Sequence, residues 1–351
     1  SSFPFNHHAI VGNNSVVGLK LIGAVIGCLA GAWLANLPLF AWNTIWVYED
    51  LSVYHQWVQD FYQCILDGCL TPRWDHQSFQ GLGSPSFLYT SPLFFYLTSV
   101  VMAVVPDPWW AIKAGVFIAY FSTGMVVYNV CRRYMHFFPA ILVAWAVQCS
   151  PYGFHLLSFQ VFIRYFFAVA PAIAFVDYSL RCIPTQKGIS LGVVGAAALL
   201  ILAHQLAAFV MFISVPFALW MLHGKDGWRA VLAVGLRWGI AVVLGIGLSA
   251  YYIVPATATL GLMAELATDL VYFNWRNSFI LPFFTSRMYG TWWSGFQWVI
   301  GGWALIMAAL ASLALCWEPR PWTTAVRVRA ALLALSWVAL LLASEVSYFI
   351  W

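Results

Sequence analysis

Side chains able to move a proton or hold an anion are scarce in this chain, and several fall where they could act together. Glu49 and Asp50 open a polar, aromatic stretch, punctuated by Pro and Gly, that runs to Leu97, with His55 close behind. It holds five of the chain's twelve acidic residues: Glu49, Asp50, Asp60, Asp67 and Asp75. Arg164 stands near the start of an apolar run, His204 and Gln205 separate two others, and Arg276 and Arg287 lie in a later polar segment. A carboxylate, imidazoles and guanidinium groups are the parts of a site that takes up a proton and binds an anion. Each also has a plainer role. Asp50 suits an N-cap, His204 a turn that satisfies backbone groups, and Arg276 and Arg287 lipid headgroup contacts. Asp107 and Lys113 suit interface anchors. Asp177 and Arg181, four apart, read as a structural pair. Arg164 is harder to place in a plain role, because an ionisable residue within a span is costly unless it is paired, functional or snorkelling to the interface.

The elements that must position these residues are apolar helices. The chain is 63% hydrophobic and 8% charged, with a mean hydropathy of +0.82. Soluble domains carry about 25% charged residues. This composition fits an all-α polytopic membrane protein, and its 20 tryptophans fit interfacial belts. Runs long enough to cross fall near 16–40, 109–130, 138–154, 160–180, 189–204, 206–222, 230–254, 293–316 and 330–351, about nine crossings. Leu51 to Leu66 reads as an amphipathic helix. The apolar run 91–105 is short for a crossing and reads as an interfacial or re-entrant helix.

Basic residues set the orientation. Arg132–Arg133, Arg181 with Lys187, Lys225 with Arg229, and Arg320 with Arg327 and Arg329 occupy alternate gaps. The positive-inside rule puts them and the N-terminus on the cytoplasmic side. A first extracytoplasmic loop, 41–108, with two interfacial helices, and a second, 256–292, then belong to a single transmembrane domain spanning 1–351. Asp50, His55, Arg164, His204, Gln205, Arg276 and Arg287 gather at the outer boundary. Cys64 and Cys69 share the first loop and are a candidate disulfide there, although five-residue spacing on a helix points them apart. No cysteine or histidine spacing marks a metal site. The chain carries no P-loop, no G-x-G-x-x-G after a strand and no H-E-x-x-H. Nucleotide-driven transport and nucleic-acid binding are therefore not expected.

The order of motifs resembles the polytopic glycosyltransferases of the GT-C fold. It is most similar to the membrane family described as "6-pyruvoyl-tetrahydropterin synthase related", a historical name that implies no pterin chemistry. The resemblance rests on Asp50, His55, Gly68, Pro72-Arg73-Trp74, Gly81 to Pro85, Ser91-Pro92-Leu93 and Tyr96-Leu97. It continues through Arg164, His204, the block Leu248 to Ala256, and Ser344 to Trp351. Four residues intervene between Asp50 and His55, one more than the family pattern. The family extends beyond the point matched by Trp351, and the apolar run ending there leaves two readings: a native C-terminus at the membrane, or a fragment of a longer chain.

This resemblance implies sugar transfer from a polyprenyl-phosphate donor to a hydroxyl acceptor, with inversion, at the outer face of the plasma membrane. Asp50 is then the base, with Glu49 the second choice. Arg164, Arg276 and Arg287 stabilise the leaving phosphate, His204 with Gln205 and His55 line the substrate site, and Trp74, Tyr89 and Tyr96 wall the cavity. No cofactor is certain; a divalent metal is compatible with the reaction. A reading from another class is a non-catalytic membrane subunit that binds lipid or scaffolds a larger complex.

Overall fold

The computed structural model describes residues 14–41, 51–150, 163–185, 188–224, 227–259, 261, 305–306, 308–313, 315–317 and 324–342. Among them every regular element is helical. The strand-type pairing described is an isolated antiparallel bridge between Asp75 and Ser84. Four helices are long and apolar enough to cross a membrane: Gly18–Ala35, Pro108–Cys131, Gln205–His223 and Trp228–Leu248. The protein is thus an all-α chain of membrane type. Their exposed faces carry large apolar side chains such as Leu19, Ile22, Ile26 and Trp33, the surface that lipid rather than water would cover.

The chain divides into two compact units. The first comprises Ser1–Asp177, Gly195–Ala207 and Gly245–Tyr252; the second comprises Tyr178–Val194, Ala208–Leu244 and Ile253–Trp351.

In the first unit, α1 (Asn14–Ala35) packs with α6 (Pro108–Cys131) and α7 (Phe137–Gln148), after the short α2 (Leu37–Ala41). Helices in lipid approach closely through small residues. On α1, Gly23, Gly27 and Gly31 recur every fourth residue and face Phe137, Ile141 and the Trp145–Gln148 turn of α7. Ala24, Cys28, Ala140, Ile141, Ala144, Val127 and Tyr128 form the buried seam. Gln148 is 1% exposed, and its Nε2 donates to Cys28 O at 3.0 Å and Tyr120 O at 2.9 Å, tying α7 to both neighbours.

Between α2 and α6 lie α3 (Leu51–Leu66), α4 (Ser86–Tyr89) and α5 (Leu93–Met102). The amphipathic reading of 51–66 has the same bounds as α3. Tyr54, Val58 and Phe61 recur at helical spacing on its buried face. They meet Phe87, Phe94 and Phe95, with Phe61–Phe87 and Phe61–Phe95 centroids 5.2 and 5.3 Å apart. Gly68, at φ +90°, ends the helix: Cys69 N–H reaches Cys64 O and Gly68 N–H reaches Ile65 O, the paired bonds of a left-handed cap. Ten residues rise about 15 Å, so α5 is too short to cross alone. Asp107 caps α6, its Oδ1 accepting from Trp109 and Trp110 N–H at 2.8 and 3.2 Å.

Four further helices complete the part that bears on the site. They are α8 (Ile163–Thr185), α9 (Leu191–Ala203), α10 (Gln205–His223) and α11 (Trp228–Leu248), followed by α12 (Ala250–Ala258). Two apolar runs form shorter helices than the sequence suggests. Run 138–154 leaves the helix at Gln148, because Ser150 precedes Pro151 and is pushed out of helical geometry. Run 189–204 is helical only over Leu191–Ala203, about 20 Å. In the second unit, Trp238 Nε1 donates to Ser179 Oγ at 3.1 Å, and Trp337 Nε1 of α13 (Thr324–Leu342) donates to Ser312 Oγ at 3.0 Å.

Asp177 forms an ion pair with Arg133, 44 residues away. Two details differ from the sequence reading. Lys113 is 5% exposed, its Nζ 5.2 Å from the Trp110 ring, and so is not an exposed anchor. Cys64 and Cys69 are free thiols, the first buried and the second exposed.

Candidate functional site

Of the residues singled out by sequence, Arg164, His204 and Gln205 come together in the first unit, and the structure adds Tyr54, Tyr165 and Tyr252 to them. Arg164 projects from the first described turn of α8 toward α3. Its Nε donates to Tyr54 Oη at 2.8 Å, and its guanidinium carbon lies 6.0 Å from the Tyr54 ring. Tyr54 is 1% exposed and clamped edge-on to Phe94 at 5.6 Å, so the phenol oxygen that holds Arg164 is itself fixed. Among the described residues no carboxylate pairs with Arg164. Among the described residues neither Nη nitrogen, the fork that grips a carboxylate or phosphate, donates to a protein acceptor.

His204 occupies the one-residue break between α9 and α10. Its Nδ1 accepts the Ala207 N–H at 3.3 Å, so it does satisfy the helix end, as its plainer reading expects. Its ring also stacks on Tyr165, centroids 4.3 Å apart. Burial, then the Arg164 charge, push the imidazole down to about 4. His204 is therefore neutral near pH 7. With Nδ1 accepting, the proton sits on Nε2, which makes it a hydrogen-bond donor.

The next residue reaches a different partner. Gln205 Oε1 accepts from the hydroxyl of Tyr252, which also lies 3.2 Å from Tyr89 O. Tyr252 is set by Ser249, whose buried hydroxyl bonds Ala198 O and Gly245 O at 3.2 Å each. Arg73 Nη2 reaches Tyr251 O at 3.4 Å, and Tyr96 Oη donates to Leu70 O at 2.9 Å. Arg73 of the Pro-Arg-Trp motif thus ties the 67–92 segment to Tyr251, and Tyr96 of the Tyr-Leu motif ties it to α5.

His55 stands apart from this group, its ring 4.3 Å from Trp109. Tyr54 and His55 are consecutive on α3 and so face different sides; the inward position belongs to Tyr54. Glu49, Asp50, Arg276 and Arg287 lie outside the described residues. Among the described residues no group of three or more His, Cys, Asp or Glu gathers to hold a metal ion. Sequence reasoning missed Tyr54, Tyr165 and Tyr252. The signal for Tyr54 was its place in the apolar period of α3, which reads as core.

Chemically, the arrangement offers a fixed guanidinium fork and a neutral imidazole N–H donor near one another, with the Arg164 charge felt by His204, Tyr165 and Tyr252. Such a donor set suits an oxyanion with more than one oxygen. In comparison with known proteins, the chain matches no family model, no curated protein and no solved structure.

Proposed function

We propose that the chain is an inverting GT-C-type glycosyltransferase that takes a sugar from a polyprenyl-phosphate donor to a hydroxyl acceptor. The observation that carries this reading is Arg164: a half-buried cation, held through Nε by Tyr54, with its fork unused and no carboxylate partner among the described residues. The order of family-like motifs and the apolar helices support it. In the proposed reaction the acceptor oxygen attacks the anomeric carbon while the bond from that carbon to the phosphate oxygen breaks. The hydroxyl proton passes to Asp50, with Glu49 as the alternative base. The polyprenyl phosphate leaves with the electron pair, and Arg164 and His204 Nε2–H meet the charge that develops on it. Donors preorganised for such charge contribute strongly to rate. Arg276 and Arg287 add positive charge, and Gln205, with His55 on the flank, orients the substrates. The proposed topology has about nine crossings in one transmembrane domain, the N-terminus inside and the site on the extracytoplasmic face of the plasma membrane.

The test is sugar transfer in proteoliposomes supplied with a polyprenyl-phosphate sugar. Arg164→Gln is expected to slow transfer by about 100-fold or more, in line with loss of one oxyanion donor, and Asp50→Asn to abolish it without unfolding the protein. Full activity in Asp50→Asn removes it as the base. Inactive wild-type protein that copurifies with other subunits replaces the reading with the non-catalytic scaffold.

A further inference from the structure

Two carboxyl groups outside the Arg164 site face each other in the interior. Asp60 lies on α3, one turn from Gln56 and from Cys64, and is 3% exposed; Asp75 lies in the segment that follows and is 0% exposed. Asp75 is fully engaged. Its backbone pairs with Ser84 in both directions at 2.8 Å. Its Oδ1 accepts from Gln77 N–H at 3.2 Å and Ser78 N–H at 3.4 Å, and its Oδ2 accepts from the Ser78 hydroxyl. Three donors on one carboxyl mark it as the charged member. Asp60 is the opposite case. Its carboxyl stands within hydrogen-bonding reach of Asp75, yet no N–H or hydroxyl donor satisfies either of its oxygens.

A buried carboxylate without a donor, beside a second carboxylate, is electrostatically untenable unless a proton or cation intervenes. Among the described residues no cation acts on Asp60. The groups that do are Asp75 from the segment and Gln56 from its own helix, whose amide comes near without hydrogen-bond geometry. Cys64, whose thiol feels Asp60, Asp67, Asp75 and Cys69, stays protonated through burial. On α5 the Tyr96 hydroxyl is bonded to Leu70 O, and on α6 the Lys113 ammonium lies over Trp110.

We propose that Asp60 and Asp75 hold one proton between them, and that this pair is a pH-sensitive latch fastening the 67–92 segment to α3. The proton resides on Asp60 and is donated to Asp75, which supplies the one bond that both carboxyls lack. Burial and the facing Asp75 push the Asp60 carboxyl up to about 7. Against burial, the bonds from Asp60, from the Ser78 hydroxyl and from the Gln77 and Ser78 N–H groups hold Asp75 below the usual range. When the segment lifts, Asp60 regains an ordinary carboxyl near 3.9. The sign follows from linkage. The closed form retains a proton that the open form loses, so closure is fully favoured below pH about 4 and weakens through pH about 7, by about tenfold per pH unit. The same segment carries Arg73 and Tyr89 to Tyr251 and Tyr252, so lifting it also removes contacts beside the candidate site. The latch is independent of the sugar-transfer reading.

Two measurements on the full-length protein test it. Infrared difference spectroscopy is expected to show a carboxylic-acid C=O band that titrates near pH 7 and is missing in Asp60→Asn. Hydrogen exchange of amides in 67–84, corrected for intrinsic rate, is expected to lose protection about tenfold per pH unit between pH 5 and 7 in wild type. It should be flat with pH in Asp60→Asn, where the amide donates permanently. Should Asp60→Asn fail to fold, Asp75→Asn serves, since its amide donates to an ionised Asp60 and also flattens the profile. A wild-type profile already flat, or no titrating band, overturns the latch. So does loss of the band at pH 6 on adding Ca²⁺, which would put a cation where the proton is placed.

Discussion

A methyl group added at Gly124 should unlatch three helices at once, and the size of the effect can be worked out in advance. A Cβ at Gly124 would stand 2.3 Å from Gln148 Nε2 and 2.6 Å from its Cδ. Long side chains usually escape such a contact. Gln148 cannot do so freely, because on its other side Gly31 leaves only the space of a hydrogen: a Cβ there would lie 2.1 Å from Oε1. Displacing Gln148 breaks its bonds to Cys28 O and Tyr120 O. Interhelical bonds within membranes contribute about 0.6 kcal/mol each, up to about 1.7, and overpacking adds about 1–3 kcal/mol. Gly124→Ala should therefore cost about 2–4 kcal/mol. Gln148→Ala removes both the clash and the bonds, so in that background Gly124→Ala should be near neutral, or gain up to about 1 kcal/mol of helix propensity. Reversible unfolding of wild type, the two single variants and the double variant in bicelles gives the coupling directly. The expected value is at least about 2 kcal/mol. Additivity within about 0.5 kcal/mol, or a Gly124→Ala protein as stable as wild type, refutes the glycine-notch argument.

Other perturbations reach other parts of the account. Tyr54→Phe removes the acceptor of Arg164 Nε while keeping the ring; phosphate-lipid affinity should fall about 10- to 100-fold, the equivalent of one hydrogen bond to a charged group, with little change in melting temperature. His204 titrates near 4 when folded and near 6.5 when unfolded. Its neutral form favours the folded state above pH about 6.5, and this contribution, up to about 3 kcal/mol, is lost as pH falls to about 4. Acid unfolding of His204→Phe, which keeps a ring beside Tyr165, should lack that slope; an unchanged slope assigns it elsewhere. Gly68→Ala places a Cβ at φ +90° and should lower stability by about 1–2 kcal/mol, whereas Gly18→Ala, with open space around it, should not destabilise. Thermal melts in detergent separate the two.

Local signals in the sequence carried through to the structure where one element decided the outcome. The period of Tyr54, Val58 and Phe61, stopped by Gly68, predicts α3 with its observed bounds. A short apolar run predicts the short helix α5, and a polar pair between apolar runs predicts the break at His204. What was hidden depends on residues far apart in the chain. Tyr54 meets Arg164 across 110 positions, and Gln148 meets Cys28 across 120. No periodicity announces either contact. Asp177 also pairs with Arg133, 44 positions away, a partner that no local charge rule names. Asp60 and Asp75 counted only toward an acidic loop, because their burial is a tertiary property. Hydropathy found the apolar runs but overestimated helix length at Ser150–Pro151, where backbone geometry wins.

The central claim is that Arg164 holds the phosphate of a polyprenyl lipid, and mass spectrometry of lipids that copurify with the protein tests it most directly. The account predicts polyprenyl phosphate, or its glycosylated form, on the wild-type protein and its loss in Arg164→Ala. Bulk phospholipid alone on the wild type, or polyprenyl phosphate retained at full level by Arg164→Ala, contradicts it.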